Sequence, residues 1–290
     1  MRYNVRMINY TVLISTDELA QHLGDPNLVV LDCRFALDDT DAGRKSYVDE
    51  HIPGALYAHL DEDLSGPIVA GQTGRHPLPK AGDFAETLSL WGIDGDTQVI
   101  AYDSSSGVFA GRLWWMLRWM GHDKVAVLDG DWRHWKAEDR PTASGSESRD
   151  ESIFIPNVQS ELQVDADAML TNIESNEARV FDVRDIDRYR GKPSPMDPVS
   201  GHIPGAHSAH FSGNLGDDGK FLSPEALRTR YEKLLDGTPP NKTIFYCGSG
   251  VSLHHDLLAL EHAGFERGAR VYIGSWSDWI TDESRPVETG

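Results

Sequence analysis

Thr243-Ile244-Phe245-Tyr246-Cys247-Gly248-Ser249-Gly250-Val251-Ser252 reads as a buried strand that stops on a cysteine, followed by two glycines and the first turn of a helix. Glycine has no Cβ and tolerates positive φ, so Gly248 and Gly250 let successive backbone amides converge on one point. The helix behind them adds the positive end of its dipole. Such a loop holds negative charge, and a thiolate is a negative charge with nucleophilic power. The competing reading, a buried inert thiol, is the usual fate of a free cysteine, but it leaves both glycines unexplained. Cys33 is the opposite case. It closes the apolar run Leu28-Val29-Val30-Leu31-Asp32 with no glycine behind it, and reads as packing.

Composition narrows the partners. The 290 residues hold 27 Lys plus Arg and 46 Asp plus Glu, a formal net charge of −19. That balance argues against nucleic acid and anionic membrane surfaces. A small anionic substrate would need a few arginines, lysines or backbone amides gathered against the overall field. No apolar run is long enough to span a membrane. Met1 to Tyr10 lack the apolar core and cleavage site of a secretory signal. The two cysteines have no metal-ligand spacing, so neither a metal nor a cofactor is expected, and a reducing, cytoplasmic setting fits.

Outward from Cys247, one pattern is written twice. Leu31-Asp32-Cys33-Arg34 answers Phe181-Asp182-Val183-Arg184, and His51-Ile52-Pro53-Gly54-Ala55 answers His202-Ile203-Pro204-Gly205-Ala206. Ala101-Tyr102-Asp103 answers Phe245-Tyr246-Cys247, and Gly130-Asp131-Trp132 answers Gly274-Ser275-Trp276. The offsets run only from 144 (Asp103 to Cys247) to 151 (His51 to His202), which marks a duplication into tandem domains rather than a solenoid. Apolar strands alternate with helical patterns in each half, as in an α/β fold with a mostly parallel sheet whose functional loops follow the strand ends. The first domain is expected over 11–140, a Ser-rich and charged linker over 141–161, and the second domain over 162–290. With Asp103 where the other half has Cys247, one active site per chain is expected, in the second half.

These motifs together resemble the tandem-domain rhodaneses, the thiosulfate and 3-mercaptopyruvate sulfurtransferases, from about Ser15 to Arg285. The resemblance implies a five-stranded parallel sheet flanked by helices in each domain. It also implies transfer of a sulfane sulfur from 3-mercaptopyruvate or thiosulfate, through a persulfide on Cys247, to cyanide or a thiol, including that of a thioredoxin-like protein. The amides of Gly248, Ser249, Gly250, Val251 and Ser252 would hold the persulfide anion. Arg188 matches the arginine that contacts the donor's anionic group, where a guanidinium offers paired N–H donors. Arg184, whose counterpart Arg34 recurs in the half without a nucleophile, reads as structural.

Within the family, Gly248-Ser249 resembles the mercaptopyruvate branch, since the thiosulfate branch carries two cations there. In that branch Ser249 would join a Ser-His-Asp relay with a histidine and an aspartate of the first domain, for which His51 and Asp41 are the matches. The recurrence of His202 at the place of His51 supports a structural part for both. One departure stands against the branch: Met196 occupies the place of a second substrate arginine, with Lys192 and Arg190 nearby. A thiosulfate-preferring enzyme, a protein-to-protein sulfur carrier and a cysteine phosphatase are the rival readings. The last is disfavoured by a short loop without arginine.

Overall fold

The structure, a computed structural model, describes residues 9–290. The reading of the amino terminus falls largely on residues 1–8, outside the described residues. Two compact units divide the chain. One runs to Ala58 and resumes from Ala81 to Asn157; the other takes His59–Lys80 and Val158–Gly290. The second half of the sequence therefore folds together with a 22-residue piece of the first, His59–Lys80, that the sequence assigned to domain 1.

In the first unit the elements are β1 (Leu13–Ile14), α1 (Thr16–His22), β2 (Leu28–Asp32), α2 (Ala42–Asp49), β3 (Leu56–Tyr57), α3 (Ala81–Leu90), β4 (Gln98–Tyr102), α4 (Ala110–Trp119), β5 (Val125–Leu128) and α5 (Asp131–Ala137). The second unit repeats them as β6 (Gln163–Val164), α6 (Ala166–Ser175), β7 (Arg179–Asp182), α7 (Ile186–Tyr189), β8 (His207–Ser208), α8 (Pro224–Leu235), β9 (Thr243–Tyr246), α9 (Leu253–His262), β10 (Arg270–Tyr272) and α10 (Ser275–Trp279). The sheet orders are β1-β5-β4-β2-β3 and β6-β10-β9-β7-β8, the same order shifted by five, and every paired strand is parallel. This is the α/β architecture with two five-stranded sheets that the sequence predicts.

Local chemistry explains the elements. Ser15 and Glu18 form a reciprocal capping box at the start of α1. Asp165 caps α6, and Ser223 caps α8 with Pro224 at its first position. Every residue of β2 and β4 is buried, as expected for central strands of a parallel sheet covered on both faces. The sequence reads the stretch before His51 as a polar loop, whereas Ala42–Asp49 is helix α2. It buries only Gly43 and Tyr47, so its apolar signal is faint, and a Cβ at Gly43 would collide with the Arg34 carbonyl.

The Asp-x-Arg motifs turn out to be twin staples. Asp32 binds Arg34 through Nε and Nη2, and Asp182 binds Arg184 the same way, all four side chains being buried. Arg34 lies over Trp132 at 4.5 Å and Arg184 over Trp276 at 4.7 Å. Each guanidinium also reaches a backbone carbonyl, Glu50 or Gly201, at 2.6 Å. Removing one partner would strand a buried charge at a cost of about 3–5 kcal/mol. The duplication has kept this pair because the fold needs it in both halves.

Candidate active site

Cys247 directly follows β9 and is 1% exposed. The Gly250 N–H donates to its Sγ at 3.2 Å, and Gly250 takes φ +82°, a conformation in which any other residue would be strained. Ser252 follows as the cap residue of α9, whose amino end therefore faces the loop. Opposite stands Ser275 at φ +55°. Its hydroxyl accepts the Cys247 N–H at 3.1 Å and lies 3.7 Å from Sγ. The Trp276 and Ser277 amides then hold the carbonyls of Cys247 and Gly248, each at 2.9 Å. The closing Gly-Ser-Trp motif thus clamps the Cys247 backbone.

Two guanidiniums flank the loop. Arg188, on α7, binds Asp197 through Nε at 3.1 Å and through Nη2. Arg75 binds the other oxygen of Asp197 at 3.1 Å and the Met196 carbonyl at 3.0 Å, and its Nη2 is 3.4 Å from the Gly248 carbonyl. A Cβ on Gly248 would sit 2.8 Å from Arg188 Nη2 and 3.4 Å from Arg75 Nη2, so glycine lets both guanidiniums lie close against the loop. Arg184 Nη1 comes within 3.7 Å of Asp197 as well. Three arginines, Arg75, Arg184 and Arg188, thus gather around Asp197 beside the loop, in a chain of net charge −19.

The rhodanese-like domain matches the chain twice, over residues 15–138 and 165–282. The chain belongs to the rhodanese family. It is 46% identical to a probable 3-mercaptopyruvate sulfurtransferase of Pseudomonas aeruginosa, covering 96% of this chain and 98% of the relative. It is 34% identical to thiosulfate sulfurtransferase of Bos taurus, over 98% and 96%. Among solved structures, SseA of Escherichia coli, a 3-mercaptopyruvate sulfotransferase, superposes with a TM-score of 0.79 at 28% identity, covering 92% of this chain and all of that one. This rhodanese is a tandem-domain sulfurtransferase, and no helix among its described residues is long and apolar enough to cross a membrane.

The rhodanese folds Cys247, Gly248, Ser249, Gly250, Val251, Ser252 and Arg188 into one unit, with Ser249 and Ser252 half-buried at the loop. His51 and Asp41 belong to the other unit. His51 is fully buried. Its Nδ1 meets the Tyr47 carbonyl at 2.7 Å, its ring stacks on Tyr47 at 4.3 Å, and its Nε2 lies 3.6 Å from Glu147. His202 repeats this with the Tyr189 carbonyl at 2.7 Å, the Tyr189 ring at 3.8 Å and Glu288 at 3.8 Å. Asp41 is an exposed residue at the start of α2 and makes no cap bond with its side chain. Met196 turns an exposed side chain outward and offers only its carbonyl, while the second cation comes from Arg75, 121 residues earlier.

Sequence reasoning missed three residues of His59–Lys80: Arg75, His76 and Asp61. His76 is buried, and its Nε2 lies 3.4 Å from the half-exposed Asp61. Arg75 anchors this segment, its backbone N–H donating to Ser277 Oγ at 3.0 Å. At Gly74 a Cβ would fall 2.6 Å from that same oxygen, so the glycine permits the approach. The stretch Thr73-Gly74-Arg75-His76-Pro77-Leu78-Pro79 reads by its prolines as an ordinary extended loop, and the Gly-Arg-His before them is the signal that points to the site.

Proposed function

We propose that this rhodanese moves a sulfane sulfur from 3-mercaptopyruvate to cyanide or a thiol through a persulfide on Cys247. The observation that carries the reading is a thiol in a backbone cradle, with the Gly250 amide 3.2 Å from Sγ, beside the paired guanidiniums of Arg75 and Arg188. The thiolate attacks the donor sulfur, the carbon–sulfur bond breaks, and the electron pair leaves as the enolate of pyruvate. The proton of the donor thiol ends on the pyruvate methyl group. The terminal sulfur of Cys–S–S⁻ is held by the loop amides and the amino end of α9. A thiolate or cyanide then takes that sulfur and restores Cys247, a two-step exchange. Arg188 and Arg75 would bind the donor carboxylate, Arg75 supplying the cation that Met196 does not.

The enolate needs an acid. Ser249 at the loop, with His76 held by Asp61 in the same unit, supports a relay for that proton better than His51 and Asp41 do, since His51 shares its whole setting with His202. The neutral Gly248-Ser249 pair and the 46% identity to a probable 3-mercaptopyruvate sulfurtransferase support mercaptopyruvate over thiosulfate as donor. The test is thiocyanate formation from each donor. Cys247→Ser should form none, and kcat/KM for mercaptopyruvate should exceed that for thiosulfate by about tenfold or more. Thiocyanate from the serine variant would sink the mechanism, and a preference for thiosulfate would sink the donor.

A further inference from the structure

Directly behind the cradle, helix α9 carries Asp256 in its first turn. The side chain is completely buried. One oxygen, Oδ1, meets the Tyr231 hydroxyl at 2.8 Å and the Asn214 amide at 3.1 Å, while Oδ2 has no hydrogen-bond partner. A bare carboxylate oxygen in such a place is costly, and a carboxylic acid much less so. The neighbours supply no direct cation. Asn214, from the 3-10 turn Phe211–Asn214, turns its carbonyl oxygen to Arg230 Nε and the Tyr231 hydroxyl of α8, each at 3.0 Å, and its NH₂ to Asp256 and His255. His255 Nδ1 accepts from that NH₂ at 3.3 Å, and its ring is stacked on Phe221 at 4.4 Å. His254 Nδ1 is engaged with the Val251 carbonyl at 2.9 Å. These are the polar groups around Asp256 among the described residues.

Tyr231 has one proton and three acceptors within reach: Asp256 Oδ1, the Asp256 carbonyl at 3.2 Å and Asn214 Oδ1. With Asp256 ionised, the hydroxyl must donate to the carboxylate. With Asp256 protonated on Oδ1, the acid donates to Tyr231, whose own proton is then free for one of the other two acceptors. The network thus has two complete arrangements that differ by one proton.

We propose that Asp256 is a positioning residue for the sulfur anion: protonated, it leaves the amino end of α9 fully available to Cys247, and ionised, it sets a negative charge one turn behind the cradle and weakens its hold. Burial pushes the Asp256 carboxyl up to about 7, against the donors Asn214 and Tyr231 and the nearby Arg230, so both states are populated near neutrality. A carboxylate on the order of 10 Å from the sulfur, at an effective dielectric constant of about 20, disfavours the anion by about tenfold. The proposal rests on Cys247 acting as an anion, as in the reaction above.

The experiment is iodoacetamide labelling of Cys247, read by mass spectrometry of its peptide, in wild type and Asp256→Asn between pH 5.5 and 8. Labelling needs a thiolate but no donor or acceptor, so it is independent of the sulfur-transfer assignment. The variant and wild type should react at equal rates at pH 5.5, and the variant about three- to tenfold faster at pH 8. A rate ratio that stays flat across the range, at whatever level, overturns the proposal. Tyr231→Phe gives a second reading: losing a donor to the ionised form should move the wild-type inflection to higher pH, and an unmoved inflection overturns the proposal even if Asp256→Asn does not fold.

Discussion

The loops after β4 and β9 are the same device in two conditions. In both, a tryptophan amide holds the carbonyl of the key residue at 2.9 Å, Trp132 to Asp103 and Trp276 to Cys247. In the first, the Asp103 carboxylate fills the cradle itself, accepting from the amides of Ser105, Gly107, Phe109 and Ala110 at 2.8–3.0 Å. In the second, the thiol accepts from one amide, that of Gly250, at 3.2 Å; the proposed reaction places the transferred sulfur among the other amides of the loop. The residue opposite changes with it. Asp131 and Ser275 share a left-handed backbone, but Asp131 spends a carboxylate on Ser106 and Arg133, whereas Ser275 sets a neutral hydroxyl against Cys247. One loop is filled by its own aspartate, with Asp131 close by. The other has no acid in the loop and sets its flanking carboxylate, Asp197, against Arg75, Arg184 and Arg188.

Copying the first loop into the second is the sharpest way to break this comparison. Cys247→Asp should abolish thiocyanate formation, a loss of at least about 1000-fold, while circular dichroism stays native. Residual turnover would mean that Cys247 is not the sulfur carrier. Removing the cation that distinguishes the second site comes next: Arg75→Ala should lower kcat/KM about 10- to 100-fold, mostly through KM, because a charge-assisted contact to the donor is lost. An unchanged KM would return the second contact to another residue.

Emptying the first loop tests the cradle without touching the reaction. Asp103→Ala leaves four amides, three of them buried, without their acceptor and should cost on the order of 3 kcal/mol in thermal unfolding. Sulfate should recover part of that loss in the variant and none in wild type, because the vacated cradle binds anions; an equal response in both would show that it does not. The smallest effect concerns pH. Folded Asp256 keeps its proton to about pH 7, whereas an aspartate in an unfolded chain loses it near pH 4. The folded state binds that proton more tightly, so its stabilising contribution is complete below about pH 4 and is lost as pH rises through about 7. Asp256→Asn cannot lose it, and the melting temperature of the variant should gain on wild type by a few degrees between pH 5 and pH 8.

Most of the fold is legible in the sequence because its determinants are local and written twice. The apolar runs Leu28–Asp32 and Thr243–Tyr246, the Ser15 cap and the Asp-x-Arg staples each act within a few residues of themselves. Cys247 and Arg188 are legible for the same reason, each announced by its own motif. Arg75, His76 and Asp61 are not, because nothing near them in the chain states where they go. Their segment lacks helix and strand, folds on itself through bonds such as Gly66 N–H to the Pro77 carbonyl, and takes its place from Ser277, some 200 residues away. The linker is largely exposed, and what its composition does not state is where it is pinned: Ala143 bridges to His51 and Asn157 to the Met120 carbonyl, where Gly121 leaves room for it only without a side chain.

The excursion of His59–Lys80 has a consequence for ancestry. The half with Asp103 at the place of the cysteine still writes, between β3 and α3, a stretch that folds with the half that holds Cys247. A gene trimmed to the second repeat would keep the nucleophile and discard Arg75 and His76. Selection on the proposed reaction would therefore act on this stretch of the first half as well as on the second.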